Sequence, residues 1–503
     1  MSARARRLGD WLAFLLPALL ATYCGWRAHT QGLADLETQA AARKAWDVFH
    51  LQTHANLALI GFDQPPMLAL LHVPAAAFAP GLLAGGLAGP LLGAVFLGLS
   101  AVVLVRLGRA LDVPGWLLAV VVSLYAGHPL VLGWAALGAR AMPLAFVLLG
   151  LAASLVLWAR SGRARDLVTG GLLAAAAILL AYEAAAVVLA AAIYVTWRSR
   201  GGVVPGRAEG TLIAFLLPAA YAAAVWVLAD WLIMGQWGHF WRVTMVRALT
   251  VGREAAPDVL SPLLTVVVIA NPLAVALTYA HLRRSQAPQT GVPAVGMLIA
   301  AVLSPLVFIT LRPVSEDGSP WLALGPVAAA VVGVGAVLLV AFVSDIVKAG
   351  VEWRRVVTPG LVVIAVGTLL LAGDAQLSHR GLPVGVRSVL SGRPAFAASV
   401  AEEWELGQAL RRQLPAGRVH VIAGSRAYVV ALQARTGPNV AVSETPRPPA
   451  DAAGLGLGPG SWVILRDPEE TAVARWQQAL PNSPLVQVGG SRAWRCYEVG
   501  PGP

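Results

Sequence analysis

Long apolar runs alternate with short polar segments along the first three quarters of the chain. A helix needs about 20 apolar residues to cross a bilayer, so this pattern predicts a bundle of about eleven membrane spans. The N-terminal run "MSARARRLGDWLAFLLPALLATYCGW" is predicted to be a retained helix, because no small-residue cleavage site follows it. The other apolar runs lie near residues 88–108, 115–134, 142–158, 168–181, 183–197, 211–234, 259–281, 291–311, 321–346 and 356–373.

The run 168–197 fits either one long tilted helix or two short helices that meet near Glu183. With the N-terminus inside and two helices here, the inner loops carry sixteen Lys and Arg residues, and the outer loops before the C-terminal region carry eight. Basic residues concentrate in cytoplasmic loops. We therefore expect two helices, with Glu183 near their outer turn and the N-terminus in the cytoplasm.

The pattern changes after Gly373, where no further span-length run occurs. The short apolar runs "RVHVIAG", "SWVILRD" and "PLVQVGG" predict buried strands, and "AASVAEEWELGQALRRQL" and "DPEETAVARWQQAL" predict amphipathic helices. The predicted fold class is mainly α: a membrane domain over residues 1–373, followed by a small extracytoplasmic α/β domain over residues 374–503. The odd span count places this domain on the same side as the first loop.

Composition agrees with a membrane protein. The 503-residue chain is 57% hydrophobic and 13% charged, whereas soluble domains average about 25% charged. The net charge of +11 does not indicate nucleic-acid binding, because the arginines cluster in short segments between apolar runs. Cys24 and Cys496 form no disulfide framework, and no Cys/His metal spacing or phosphate loop occurs.

The first outer loop, about residues 30–65, is unusually acidic for this chain. It holds four of the 26 acidic residues, which are Asp35, Glu37, Asp47 and Asp63. Its segment "LADLETQAAARKAWDVFH" predicts an amphipathic helix lying on the membrane surface. The acids either keep a helix end in water or form a functional site held by a rigid scaffold.

Several segments together resemble the GT-C superfamily of membrane glycosyltransferases. Two acids follow the first span, "GFDQPPMLALLHVP" closes the loop, and "GHPLVLGWAALGARAMPLAFVLLGLAA" and "LRPVSEDGSPWLALGPVAAA" follow later. The layout is similar to the bacterial branch related to protein O-mannosyltransferases and lipid A aminoarabinose transferases. Three features depart from that branch: Leu36 separates the acids, the aromatic residue that often follows them soon after is missing, and "PPM" replaces the usual "PPL".

The resemblance implies transfer of a sugar, with inversion, from a polyprenyl-phosphate donor to an extracytoplasmic acceptor. It assigns Asp35 as the catalytic base, with Glu37 as the second candidate, and places Arg312 at the donor phosphate. Arg140, Arg242 and Arg247 are further candidates, because they lie on the outer side and a lipid phosphate needs positive charge there. Interfacial anchoring is the alternative explanation for each of these arginines.

The remaining cavity candidates are Asp63, Gln64, Glu183 and His54. We predict no cofactor, since the ligand spacing does not indicate the divalent metal that some superfamily members use. The expected partners are the bilayer, a polyprenyl-linked sugar donor and an acceptor glycan, lipid or protein, in a bacterial plasma membrane. A transporter and a catalytically inactive GT-C-like assembly subunit are the alternatives, and the sequence identifies neither sugar nor acceptor.

Overall fold

A computed structural model describes most of the N-terminal half of the chain, one later helix and most of the C-terminal region. The described residues are 3–50, 65–200, 207–235, 237–238, 320–348, 398–415, 418–424, 426–436, 439–443, 448, 457–466, 470–481 and 483–501. They fall into two compact units, each described by itself. The bundle unit comprises residues 1–26, 62–67 and 90–396, and the loop–sheet unit comprises residues 27–61, 68–89 and 397–503.

Helices dominate the described residues. In chain order they are α1 (Ala3–Thr30), α2 (Leu36–His50), α3 (Met67–Phe78), α4 (Pro80–Ala84), α5 (Ala88–Ala110), α6 (Gly115–Ala126), α7 (Pro129–Leu137), α8 (Ala141–Ser161), α9 (Ala164–Leu180), α10 (Ala184–Ser199), α11 (Arg207–Met234), α12 (Pro320–Lys348), α13 (Ala401–Gln413), α14 (Ala427–Gln433) and α15 (Glu470–Ala479). The strands are β1 (Leu33–Ala34), β2 (Ala398–Ser399), β3 (His420–Ala423), β4 (Val440–Ser443), β5 (Trp462–Arg466), β6 (Leu485–Gly490) and β7 (Trp494–Val499).

The bundle unit contains helices long and apolar enough to cross a membrane. Four helices in the described part of the chain meet that test, and the bent pair α6–α7 would make a fifth. The pair bends by 60°, where Pro129 begins α7 and the His128 side chain caps it. The predicted run 115–134 is therefore two helices rather than one. The protein is an integral membrane protein with a largely helical fold.

Helix α8 lies in the interior of the bundle unit, because 83% of its most apolar stretch of 18 residues is buried. It packs against α9 on one side and α12 on another. A small residue allows the second approach: a Cβ atom on Gly333 of α12 would lie 2.5 Å from the Ala145 carbonyl oxygen of α8. Small residues at such crossings let helix backbones come close inside a membrane.

The segment 168–197 forms two helices, α9 and α10, which meet at residues 181–183, as predicted. The predicted spans 259–281, 291–311 and 356–373 lie outside the described residues. The total of eleven spans and the domain boundary at residue 373 therefore stay predictions.

The loop–sheet unit is built on a five-stranded mixed sheet of order β4-β3-β5-β7-β6. Strand β3 runs parallel to β4 and β5, whereas β7 runs antiparallel to β5 and β6. Successive residues of β3 face opposite sides. Ile422 packs with Leu410 of α13 on one face, and Val421 packs with Trp476 of α15 on the other. The sheet is therefore buried between helices on both faces.

The predicted C-terminal strands and helices are confirmed in position. One burial prediction is wrong: "PLVQVGG" forms β6, an edge strand whose residues are mostly exposed. Val486 is 53% exposed and Val488 is 45% exposed. The apolar run predicted a buried strand because sequence alone does not show which strand lies at the edge. Helix α14 and strands β4 and β7 were not predicted.

The first outer loop is part of the loop–sheet unit. Strand β1 pairs antiparallel with β2, so that Leu33 lies opposite Ser399. The predicted helix over this loop is confirmed as α2, and its apolar face packs on α14 through contacts such as Ala45 and Trp46 with Leu432. Amphipathicity thus reflects packing against the C-terminal α/β region, while a position on the membrane surface stays a prediction.

Candidate functional site

Asp35 lies between β1 and α2 and caps the helix. Its Oδ2 accepts hydrogen bonds from the Thr38 backbone N–H at 2.8 Å and from the Thr38 hydroxyl at 2.6 Å. The residue is only 4% exposed. Aspartate is a favoured capping residue, and a helix N-terminus stabilises negative charge. The arrangement holds one carboxylate, in one orientation, immediately after the first long apolar helix.

Glu37 lies in the first turn of α2 and is partly exposed. Residues two positions apart on a helix point in different directions. The structure therefore gives the two acids different environments: Asp35 is buried and tied to the backbone, and Glu37 reaches the surface.

The next turns of α2 are anchored to the end of α14 by an arginine clamp, formed by Arg43, Asp47 and Thr436. The Arg43 Nη1 donates to the Thr436 hydroxyl at 2.6 Å, and its Nε lies 2.7 Å from the Asp47 Oδ1 in an ion pair whose N–H is not aligned for a hydrogen bond. Arg43 is 3% exposed. Burial raises the pKa of the Asp47 carboxyl, and the charge of Arg43 opposes that shift. Trp46 adds a hydrogen bond to the Thr436 carbonyl at 3.4 Å.

The bundle unit has a separate polar group where α8 and α10 begin and α9 and α11 end. Arg140, which precedes α8, is 4% exposed and donates to the Leu180 carbonyl at 3.5 Å. Tyr182 accepts a hydrogen bond from Trp226 at 3.1 Å. Asp230, one turn beyond Trp226, is fully buried. Buried ionisable groups within a membrane bundle are costly and mark functional positions.

Glu183 belongs to the same end of the bundle. It immediately precedes α10, next to Tyr182, and is partly exposed. Arg140 and Glu183 thus lie in the bundle unit, whereas Asp35 and Glu37 lie in the loop–sheet unit. The other candidates fall outside the described residues: Arg312, Arg242, Arg247, Asp63, Gln64 and His54.

Sequence reasoning missed the arginine clamp and the Tyr182–Trp226 pair. The clamp had a detectable signal, because Arg43 and Asp47 are four residues apart on a predicted helix. The Tyr182–Trp226 contact had none, since 44 positions separate the two residues. Within the described ranges, no group of three His, Cys, Asp or Glu side chains is arranged to hold a metal ion.

Comparison with solved structures identifies the fold. The chain is similar to ArnT from Cupriavidus metallidurans bound to undecaprenyl phosphate, with a TM-score of 0.57, 13% sequence identity and coverage of 98% of both chains. The apo state of the same protein matches with a TM-score of 0.54 and 14% identity, again over 98% of both chains. No protein-family profile and no curated protein matches the sequence. The chain therefore has the same fold as ArnT, which confirms, at the level of fold, the GT-C resemblance inferred from sequence.

Proposed function

We propose that the protein is a membrane glycosyltransferase that moves a sugar from a polyprenyl-phosphate donor to an extracytoplasmic acceptor. The observation that carries the proposal is the likeness in fold, over 98% of both chains, to an ArnT structure that holds undecaprenyl phosphate. At 13% identity this likeness concerns architecture. The chemistry is therefore argued from the residues of this chain.

Asp35 is the proposed base. Attack by the acceptor hydroxyl on the anomeric carbon breaks the bond to the phosphate oxygen and inverts the configuration. The hydroxyl proton passes to a carboxylate, which must be ionised and within hydrogen-bond reach. Capping of α2 supports this role for Asp35, because the two hydrogen bonds from Thr38 hold the carboxylate in one orientation.

The leaving group is a polyprenyl phosphate, whose charge must be neutralised at the membrane interface. Arg140 is a proposed phosphate ligand, since its guanidinium lies at the end of α8–α11 that also holds Glu183 and Asp230. Arg312, Arg242 and Arg247 stay candidates on the grounds of sequence alone. Guanidinium groups suit this task because they can donate two parallel hydrogen bonds to a phosphate.

The location of the first loop supports an extracytoplasmic reaction. The loop and the C-terminal α/β region belong to one compact unit, which supports a location of both on the same side of the membrane. The bias of basic residues towards the opposite loops favours the outside for that side.

The direct test is sugar transfer by purified protein in lipid nanodiscs, with undecaprenyl-phosphate-linked mannose and aminoarabinose as donors. Release of undecaprenyl phosphate with formation of a glycosylated product is the expected result. Solute movement across vesicles without consumption of either donor would contradict the proposal and favour a transporter. Tight donor binding without turnover would instead favour an inactive assembly subunit.

A further inference from the structure

Three residues of the loop–sheet unit meet around Trp404 and form with it what we call the Trp404 cluster: His29, Gln39, Gly86 and Trp404. The pairing of β1 with β2 brings the end of α1 and the start of α2 next to the start of α13. The Val400 N–H donates to the Gly32 carbonyl at 2.7 Å and tightens this junction. Gly86 completes the cluster from the turn between α4 and α5.

The Nε1 edge of the Trp404 indole and the Gln39 amide both lie against Gly86. A Cβ atom on Gly86 would lie 3.2 Å from Cζ2 and 3.7 Å from Cε2 of Trp404, and 3.7 Å from Nε2 of Gln39. Cε2 is the ring carbon that carries Nε1. Gly86 has no side chain and a φ of +76°, so the Trp404 indole and the Gln39 amide can both pack closely against its backbone. The imidazole of His29 lies against the indole, with ring centroids 4.5 Å apart.

Three buried polar atoms of the cluster make no hydrogen bond within the described residues: Oε1 of Gln39, Nε1 of Trp404 and Nδ1 of His29. Gln39 is itself only 3% exposed. Buried polar atoms in folded proteins nearly always have a partner, and each exception calls for an explanation. The cluster thus offers a hydrogen-bond acceptor on Gln39, a donor on Trp404 and an imidazole nitrogen of His29 that can donate or accept, all at the paired rings of His29 and Trp404.

The chemistry of these atoms selects the ligand. A hydroxyl group both donates and accepts, so it can satisfy the amide oxygen and the indole N–H together. A phosphate cannot, because it would place negative charge against the Gln39 oxygen, and the four residues supply no arginine or lysine. Aromatic faces beside neutral hydrogen-bonding groups suit the mixed apolar and hydroxyl surface of a sugar.

We propose that the Trp404 cluster is a subsite for the hydroxyl groups of a sugar. The inference rests on the proposed function, which supplies sugars from two sources, the lipid-linked donor and a glycan acceptor. The subsite orients that sugar by neutral hydrogen bonds, and it leaves the lipid phosphate to the arginines.

The test compares two variants that each remove one hydrogen-bonding group while largely keeping the volume, Gln39→Leu and Trp404→Phe. Trp462→Phe is the matched control, since it changes an indole of the same unit outside the cluster. Binding of undecaprenyl phosphate, undecaprenyl-phosphate mannose and undecaprenyl-phosphate aminoarabinose is measured in nanodiscs, alongside KM for donor and acceptor.

Each cluster variant is expected to weaken binding of a sugar-loaded lipid about fivefold to tenfold, the effect of losing roughly one neutral hydrogen bond. Affinity for sugar-free undecaprenyl phosphate should not change. If only KM for the acceptor rises, the subsite holds the acceptor's sugar. Unchanged values throughout would mean that the cluster holds water, and equal losses with sugar-free lipid would indicate general damage; both overturn the inference. A wild type that binds donors without transfer refutes the proposed function alone, because the binding comparison still tests the subsite.

Discussion

At the scale of single residues, the candidate base also has a structural task. Asp35 terminates the loop before α2 and satisfies N–H and O–H donors of Thr38. The capping task and the proposed catalytic task of Asp35 can be separated experimentally. Asparagine caps helices nearly as well as aspartate, but it cannot take up a proton as a carboxylate does. The plain interpretation from sequence, an acid that solvates a helix end, predicts no loss of activity on that change.

Asp35→Asn is therefore expected to leave folding intact and to lower the rate of sugar transfer by about two to four orders of magnitude. Glu37→Gln, two residues away and partly exposed, should lose less. The measurement is turnover of a polyprenyl-phosphate donor by wild type and both variants at matched protein levels. Near-normal turnover in Asp35→Asn with an inactive Glu37→Gln would move the base to Glu37, and near-normal turnover in both would remove the acids from catalysis.

The environment of Glu402 leads us to expect that the stability of the loop–sheet unit depends on pH. Burial works against its charge, but hydrogen bonds from the Ser491 hydroxyl and the Ala493 N–H, together with the charges of Arg466 and Arg492, hold its pKa below the usual value of 4.5. A lowered carboxyl pKa stabilises the fold above the unfolded-state pKa, and this stabilisation is lost as the pH falls through the folded-state pKa.

Glu402→Gln keeps an acceptor oxygen for Ser491 and Ala493 but loses the negative charge, so it should lower the free energy of unfolding at pH 7 by less than about 1 kcal/mol, the range for solvent-screened charge interactions. The difference from wild type should shrink as the pH falls below 4.5. Thermal unfolding of the full-length protein across a pH series measures it. Glu405→Gln, an exposed change on the same helix, is the control; a deficit in Glu402→Gln that persists unchanged at low pH would contradict the assignment.

At the scale of elements, the apolar periodicity predicted helices well and predicted their partners poorly. The runs at 142–158 and 168–197 became α8, α9 and α10, because membrane helices satisfy their own backbone hydrogen bonds within one segment. Strand β6 was predicted as buried because its own residues are apolar. Its position at the edge of the sheet depends instead on its pairing with β7, the last strand of the chain. The sequence pattern shows the apolar residues of a strand but not its neighbours in the sheet.

The contact between α8 and α12 gives a prediction at this scale. Gly333→Ala places a Cβ atom 2.5 Å from the Ala145 carbonyl oxygen and 3.3 Å from the Leu149 nitrogen, so the two helices must separate. Overpacking of this kind costs about 1 to 3 kcal/mol. Gly210→Ala is the matched control on α11, because its Cβ would meet no atom within 4 Å. Thermal unfolding in detergent should show a lower Tm for Gly333→Ala only; equal values for both variants would contradict close packing at this crossing.

At the scale of the whole molecule, the sequence predicted the fold class and the GT-C likeness. It did not predict that the first loop packs with the C-terminal α/β region in one compact unit. Arg43 and Thr436 are 393 positions apart in sequence, and no local pattern marks such a pair. The acidic loop was identified from its composition and the α/β region from its alternating elements. Their union in one compact unit depends on tertiary contacts alone.

The predicted topology belongs to this scale as well. Reporter fusions at Gly201 and Gly458 should report a cytoplasmic and an extracytoplasmic location respectively, because basic residues favour the cytoplasmic loops two to one. The readout is a pair of enzymes active on opposite sides of the membrane. A cytoplasmic signal at Gly458 would contradict both the orientation and the extracytoplasmic reaction proposed for Asp35.

The short ladder between β1 and β2 also sets an order of events on the ribosome. Leu33 pairs with Ser399, which is 366 positions later in the chain. At about 5 to 20 residues per second, translation takes roughly 20 to 70 seconds to cover that interval. Throughout it, the nascent α2 lacks Leu432, Thr436 and the strand that tethers its start. The acidic loop is made among the first segments but cannot mature until the C-terminal region is made, so a freshly inserted, unfinished chain carries its proposed base on an unsupported helix.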